Sequence, residues 1–108
     1  MVTYKQGDII IMDFNPQKGH EQSGRRPALV LSNDILNHHS SLAFVCPITN
    51  TNKKHPLHIE LDERTQTTGV ILCDQAKMLD VGARNAQFKE ECPEDLWNEA
   101  KELIISFM

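Results

Sequence analysis

With 108 residues, the chain is long enough for one domain with a modest hydrophobic core, a size at which pairing with a second copy would add stability. Its 40% hydrophobic content is typical of globular proteins, and no apolar run approaches the roughly 20 residues that a membrane-spanning helix needs. The net charge of −4 arises mostly in residues 90–108, which carry six acidic residues and one basic residue, so the rest of the chain can present a local basic surface to a polyanion.

The first predicted elements are two strands and the loop that joins them. Residues 9–14 and 28–32 are apolar runs of the length and composition that strands have. The loop between them brings Glu21, Arg25 and Arg26 to the entrance of the second strand. Because side chains on a loop between rigid strands can contact a ligand, we expect the functional site at this junction.

A short helix and a third strand follow. Residues 33–39 predict a helix that begins with Asn33 or Asp34 as the capping residue. Residues 42–49 predict the third strand, and the polar residues 50–56, which end in a proline, predict a loop that can contact a ligand.

Two more strands and a helix complete the predicted fold. Residues 57–61 and 70–79 bring the number of strands to five, which suits a small barrel or a strongly coiled sheet. Beyond them, an apolar stripe on residues 96–107 follows Pro93 and predicts a C-terminal amphipathic helix that closes the barrel. The sequence therefore predicts a mainly β fold with α (α+β), in a single domain over residues 1–108.

The cysteines point to a reducing cytoplasm. Cys46, Cys73 and Cys92 have no short spacing, and the first two lie in apolar runs, where a thiol behaves as a small hydrophobic group. The N-terminal residues also lack the pattern of a secretory signal. A zinc site would need Cys and His at short spacings, which Cys46, His55 and His58 do not have, so we expect no metal and no cofactor.

An arginine and a hydroxyl group are the best candidates for chemistry that needs no cofactor. If the second and third strands pair antiparallel, Arg26 at the entry of one and Thr49 at the exit of the other share a rim of the sheet. A guanidinium and a hydroxyl can together hold a phosphate and stabilise a charged five-coordinate phosphorus. The alternative is structural: Arg26 pairs with Glu21, and Thr49 only ends a strand.

The same residues are similar to those of the MazF/PemK family of toxin–antitoxin endoribonucleases. The resemblance begins with Gly7-Asp8-Ile9 and Asp13-Phe14-Asn15-Pro16 and continues through the Glu-Gln-Ser-Gly-Arg-Arg-Pro run of residues 21–27. It then includes Pro47-Ile48-Thr49 and the block of residues 69–77. These blocks occur in the family's order and cover almost the whole chain.

The resemblance implies an SH3-like β-barrel (MazF/CcdB-like) and a homodimer that is restrained by a MazE-like antitoxin with an acidic tail. It implies the toxin component of a type II system, a metal-independent, sequence-specific endoribonuclease that cleaves single-stranded RNA such as mRNA. In this chemistry the ribose 2′-OH attacks the adjacent phosphate and leaves 2′,3′-cyclic phosphate and 5′-OH ends. Family roles correspond to Arg26 and Thr49 as catalytic residues and to Glu21 as the proton acceptor or the group that orients Arg26.

The loops and the block of residues 69–77 supply the candidate RNA contacts. An aromatic ring could stack a base, cations could bind the backbone and an amide could read a base edge. The candidates are Phe14, Asn15, Pro16, Lys18, His20, Gln22, Arg25, Lys53, Lys54, Gln75 and Lys77. Phe14 could equally belong to the core, and Arg25 could be a solvated surface residue.

Two other function classes fit the predicted fold. One is a CcdB-like gyrase-binding toxin, whose C-terminal residues carry the activity, although residues 104–108 do not resemble such an ending. The other is a non-enzymatic SH3-like module that binds nucleic acid or protein. Discrete RNA fragments with 5′-OH ends, formed in the presence of EDTA, would distinguish the nuclease from both.

Overall fold

The computed structural model describes residues 3–14, 24–52 and 54–108. Within these residues, seven strands form one antiparallel sheet: β1 (Asp8–Phe14), β2 (Gly24–Val30), β3 (Leu42–Thr49), β4 (His58–Glu60), β5 (Val70–Leu72), β6 (Lys77–Asp80) and β7 (Gln87–Glu91). Two α-helices accompany the sheet: α1 (Asp34–His39) and α2 (Glu94–Ser106). The predicted mainly β fold, with a short internal helix and a C-terminal helix, is confirmed.

The strands follow the order β4-β5-β3-β2-β1-β7, and β6 pairs with the first half of β3. The second half of β3 pairs with β5 instead, so β3 takes part in both halves of a coiled sheet. Side-chain hydrogen bonds join β7 to the connector that follows β4. The Glu90 carboxylate on β7 accepts bonds from the Gln66 and Thr67 backbone N–H groups at 3.0 and 2.7 Å, in the connector between β4 and β5.

The central strands are buried on both faces of the sheet. Because successive side chains of a strand alternate between the two faces, these strands contribute to a core cluster on each. On one face, residues such as Ile9, Leu29 and Ile48 pack against the apolar stripe of α2. The other face carries a second core cluster that contains Met12 and Val45. The stripe of α2 is formed by Leu96, Ala100 and Ile104, as the helical periodicity predicts.

Local signals account for the ends of both helices. The side chain of Asn33 caps α1 by accepting hydrogen bonds from the Ile35 and Leu36 backbone N–H groups, as predicted. Pro93 immediately precedes α2, and acidic residues occupy its first turn, where they complement the positive end of the helix dipole. None of the helices in the described part of the chain has the length and apolar character that crossing a membrane requires.

Three predicted elements differ from the structure. The strand predicted for residues 28–32 is β2, which begins earlier, at Gly24, because it pairs with β1 as far as Phe14. The single strand predicted for residues 70–79 is wrong: a 3-10 helix at Cys73–Gln75 separates β5 from β6. Strand β7 was not predicted, because it is an edge strand whose side chains are mostly exposed.

The cysteines are buried free thiols, as expected for Cys46 and Cys73. The hydrogen bond with Cys73 and burial raise the pKa of Cys46 well above its usual range. Burial also raises the pKa of Cys92 to about 11. Cys46 and Cys92 therefore stay protonated, and all three cysteines are buried as small core residues.

Candidate nucleic-acid interface

Arg26 and Thr49 lie on the neighbouring strands β2 and β3. The register of β2 with β3 pairs Ala28 with Pro47. The paired ladder ends there, and continuing the same antiparallel register by two residues would bring Arg26 opposite Thr49. Opposed residues of an antiparallel pair project from the same face, so both side chains point to one side of the sheet. Strand alternation therefore puts the two side chains on one face, and their meeting at one rim stays a prediction.

A row of side chains extends from this pair across the sheet. Met12 on β1 is opposite Arg26, Val70 on β5 is opposite Thr49, and Glu60 on β4 is opposite Val70. Because neighbouring strands are about 4.8 Å apart, Glu60 lies two strand spacings, or about 10 Å, from Thr49. This row therefore has the Arg26 guanidinium, the Thr49 hydroxyl and the Glu60 carboxylate on one face of the sheet.

Thr49 is the last residue of β3, and its hydroxyl oxygen accepts one hydrogen bond. The residue is 8% exposed, and its Oγ1 accepts a hydrogen bond from the Thr51 backbone N–H at 3.3 Å. Because Oγ1 acts as the acceptor in that bond, its own hydrogen remains available as a donor. The hydroxyl can therefore donate to an oxygen of a ligand while the turn after β3 fixes its position.

Gly69 packs against the backbone of Thr49. Its φ of +113° lies in the region that favours glycine, and a Cβ atom at this position would overlap the Thr49 carbonyl oxygen. The connector that ends at Gly69 is itself held by Glu90, which also accepts a bond from the Thr67 hydroxyl at 2.6 Å. A contact with a residue twenty positions earlier leaves no local pattern, so the sequence alone does not reveal this role of Gly69.

Arg25 projects from the opposite face of β2, because successive side chains of a strand alternate. Its Nη1 donates to Asp13 Oδ1 at 3.0 Å, and the side-chain amide of Asn85 donates to the other carboxylate oxygen at 2.8 Å. The hydrogen bond from Asn85 and, after it, the bond from Arg25 hold the pKa of Asp13 below its usual value. Arg25 is therefore a paired surface residue in this structure, and Arg26 is the arginine on the face of Thr49.

Three other candidate RNA contacts lie in the described residues around the same face. Lys54 adopts a positive φ of 55° and binds Glu60 through its Nζ at 3.0 Å, which places it beside the row. Hydrogen bonds from the Asn52 side chain, which has the larger effect, and from Lys54 lower the pKa of Glu60. Lys77 begins β6 opposite Val45, so it lies on the face of Thr49, and Gln75 ends the 3-10 helix before it. Both are half-buried.

Phe14 does not fit the predicted role in base stacking. The residue is 1% exposed and belongs to the core cluster around Met12, so its ring is not accessible to a base. The alternative assignment to the core is correct, and its place at an inward position of β1 is the reason. The remaining candidates lie outside the described residues: Glu21, Asn15, Pro16, Lys18, His20, Gln22 and Lys53.

A surface cavity lies elsewhere on the molecule. Its volume is about 260 Å³, and its lining includes Tyr4, Leu42, Ala43 and Val81. Ala43 is six residues before Thr49 on β3, or about 20 Å along an extended strand. The candidate interface is thus an open rim of the sheet rather than this cavity, as suits a polymeric ligand.

Comparisons with known proteins agree on one family. The model of PemK-like, MazF-like toxins of type II toxin–antitoxin systems matches residues 5–108. The endoribonuclease toxin MazF of Escherichia coli K12 is 40% identical over 91 residues, which cover 83% of this chain and 81% of that protein. The endoribonuclease EndoA of Bacillus subtilis is 40% identical over 81 residues, or 70% of each chain.

Solved structures show the same fold. The crystal structure of MazF from Deinococcus radiodurans superposes with a TM-score of 0.93 at 36% identity, covering 99% of this chain and 97% of that one. MazF in a MazE–MazF complex from the same organism superposes with a TM-score of 0.88 at 36% identity, covering 99% and 96%. The curated relatives named here are endoribonucleases, so the gyrase-binding and non-enzymatic alternatives are not favoured.

Proposed function

The chain belongs to the PemK-like, MazF-like family of type II toxins and is an endoribonuclease toxin, and we propose that Arg26 and Thr49 form the centre at which it cleaves single-stranded RNA. The observation that supports this proposal is the β2–β3 register, whose continuation by two residues beyond the Ala28–Pro47 pair would bring the two side chains together on one face. A guanidinium offers a fork of N–H donors that fits two phosphate oxygens, and the hydroxyl adds a third donor.

The proposed reaction is a transesterification within the RNA. The 2′-oxygen of a ribose attacks the adjacent phosphorus while the bond to the 5′-oxygen breaks, leaving 2′,3′-cyclic phosphate and 5′-OH ends. Negative charge develops on the phosphoryl oxygens in the transition state, and Arg26 and Thr49 stabilise it by donating to those oxygens. Because arginine stays protonated in proteins, Arg26 acts as an electrostatic group and not as the base.

Glu21 is proposed as the group that accepts the 2′-OH proton or orients Arg26. The support is its sequence position, five residues before Arg26 in the motif of residues 21–27. The leaving 5′-oxygen must gain a proton in the same reaction, so acid and base catalysis are both required. No metal ion is needed in this scheme.

The RNA chain is proposed to follow the face that carries Arg26, Thr49 and Lys77. Lys54 can reach a phosphate by exchanging its exposed ion pair with Glu60, and such pairs contribute little stability. Gln75 is proposed to read a base edge, with the additional contacts proposed for Asn15, Pro16, Lys18, His20, Gln22, Arg25 and Lys53. The specificity for a short sequence is proposed to reside in these loops.

The proposed partners are a MazE-like antitoxin and a second copy of the chain in the cytoplasm. The MazE–MazF complexes of Deinococcus radiodurans support an antitoxin, because their MazF chains share this fold. An acidic antitoxin segment would cover Arg26 and the loop before it, so RNA and antitoxin should compete. Simultaneous binding with both affinities unchanged would contradict this part of the proposal.

The test is cleavage of a long RNA pool of mixed sequence by the purified protein in EDTA. We expect discrete fragments whose 5′ ends accept phosphate from polynucleotide kinase without prior phosphatase treatment, because those ends are hydroxyls. Mapping the ends also identifies the recognised sequence. Intact RNA, or fragments with 5′-phosphate ends, would overturn the proposed reaction.

A further inference from the structure

Two histidines and an aspartate come together on the side of the sheet where β4 meets the 3-10 helix Cys73–Gln75. The rings of His55 and His58 are 4.7 Å apart, and His58 Nε2 lies 3.1 Å from Asp74 Oδ1. One ring nitrogen of each histidine and one carboxylate oxygen of Asp74 all lie within 4.8 Å of one another. The sequence spacing of His55 and His58 alone does not reveal this cluster, since Asp74 is 16 residues beyond His58.

The imidazole of His58 has an unsatisfied nitrogen. Its side chain is only 12% exposed, and Nδ1 is buried without a hydrogen-bond partner in the described part of the chain. A buried polar atom without a partner is unfavourable, and such an atom in a native protein calls for an explanation such as an ion. His58 therefore has one ring nitrogen, Nε2, beside Asp74 and a second, Nδ1, that no described group uses.

The separations fit a metal ion after a small movement. Metal–ligand bonds of 2.0–2.2 Å place the ligand atoms of a tetrahedral zinc site about 3.3 Å apart. His58 and Asp74 already meet this spacing at 3.1 Å, so closing the widest separation of 4.8 Å takes about 1.5 Å of movement. His55 is exposed on the loop between β3 and β4, where such a movement is possible.

We propose that His55, His58 and Asp74 form a binding site for a divalent transition-metal ion of the zinc class. Two imidazoles and one carboxylate suit such ions, and three protein ligands leave a fourth position for water. The ion would join the loop between β3 and β4 to the 3-10 helix Cys73–Gln75. This site is separate from Arg26 and Thr49, and it does not depend on the proposed RNA cleavage.

The first test is a calorimetric titration of the purified full chain, freed of metal with EDTA and dialysed, with zinc chloride. We expect one ion per chain, and at least about 100-fold weaker binding for H55Q and D74N, because each removes a ligand. The matched control is H38Q, which removes an exposed histidine of α1 and should bind as the wild type does. Unchanged affinity in both D74N and H55Q would overturn the proposal.

A second test follows the Leu57 amide by NMR. His55 Nδ1 accepts a hydrogen bond from the Leu57 backbone N–H at 3.1 Å. Coordination through Nδ1 replaces this bond, and coordination through Nε2 puts a proton on Nδ1, so either mode breaks it. We expect the Leu57 signal to shift with zinc in the wild type and not in D74N. A zinc-saturated protein with an unmoved Leu57 signal would contradict the site, and comparing melting curves of the variants confirms that they fold.

Discussion

Gly69 lies directly against the backbone of Thr49, with no room for a β-carbon between them. We expect G69A to displace the end of β3 and to lower the free energy of unfolding by at least about 3 kcal/mol. Roughly 1–2 kcal/mol of this comes from the positive φ of 113° and the rest from overpacking. Denaturant unfolding measures the change, and RNA cleavage should decrease with it because Thr49 moves.

Gly24 provides the matched control for Gly69. Its φ of +81° imposes a similar backbone penalty, but a Cβ atom there would meet none of the described residues within 4 Å. G24A should therefore cost only about 1 kcal/mol. Equal destabilisation by the two substitutions would show that the contact with Thr49 has no energetic weight.

The arginine pair gives a second prediction, because Arg26 and Arg25 project from opposite faces of β2. R26A should reduce the single-turnover rate of RNA cleavage by at least about 1000-fold, since it removes a forked donor to the phosphate. R26K should remain impaired because a lysine keeps the charge but loses the fork. R25A should keep the turnover rate and weaken RNA binding at most modestly, because Arg25 pairs with Asp13. The assignment fails if R25A loses catalysis and R26A keeps it.

The Thr49 hydroxyl gives a third prediction. T49V removes it at nearly constant shape and should slow cleavage about 100-fold, the usual effect of losing one donor to the transition state. T49S keeps both the hydroxyl and its bond from the Thr51 N–H, so it should stay within about tenfold of the wild type. A T49V rate no slower than that of T49S would mean that the hydroxyl is not required for cleavage.

The elements that could be predicted from sequence are those with a strong local pattern. Strand β3 occupies the predicted residues because its buried apolar run is long and is bounded by polar turns. The break at Cys73–Gln75 was not predicted, since apolar residues occur on both sides of it, at 70–72 and again at Met78 and Leu79. Strand β7 carries charged residues typical of an exposed edge, and its pairing with β1 is a long-range property.

The candidate site likewise has features that could be predicted from the sequence and features that could not. The antiparallel pairing of β2 with β3, on which the proposed meeting of Arg26 and Thr49 depends, could be predicted because neighbouring strands have few alternatives. The separation of Arg25 from Arg26 follows from strand alternation, yet the sequence does not show that β2 extends back to Gly24. The contacts of Glu90 with Thr67 join residues 23 apart, and no local spacing encodes them.

Glu90 gives a fourth prediction, because its carboxylate joins β7 to the connector between β4 and β5. Its two oxygens accept from the backbone N–H groups of Gln66 and Thr67 separately. E90Q must turn an amide N–H toward one of these donors, so we expect a loss of about 2 kcal/mol at neutral pH by urea unfolding. E91Q changes the neighbouring exposed acid and should stay within about 0.5 kcal/mol of the wild type. Equal losses would show that only the net charge of β7 matters.

The last prediction is the pH dependence of the difference in unfolding free energy between the wild type and E90Q. Burial alone would raise the pKa of Glu90, but the hydrogen bonds from Thr67 and Gln66 hold it below its ordinary value of 4.5. A carboxyl group with a lowered pKa in the folded state stabilises the protein above its unfolded-state pKa, and this contribution is lost as the pH falls through the folded-state value. The gap in unfolding free energy between wild type and E90Q should therefore be constant above about pH 5 and narrow below pH 4.5. Other acidic groups titrate in both proteins and cancel in the difference, so a gap that persists far below pH 4 or widens on acidification would refute the role assigned to this carboxylate.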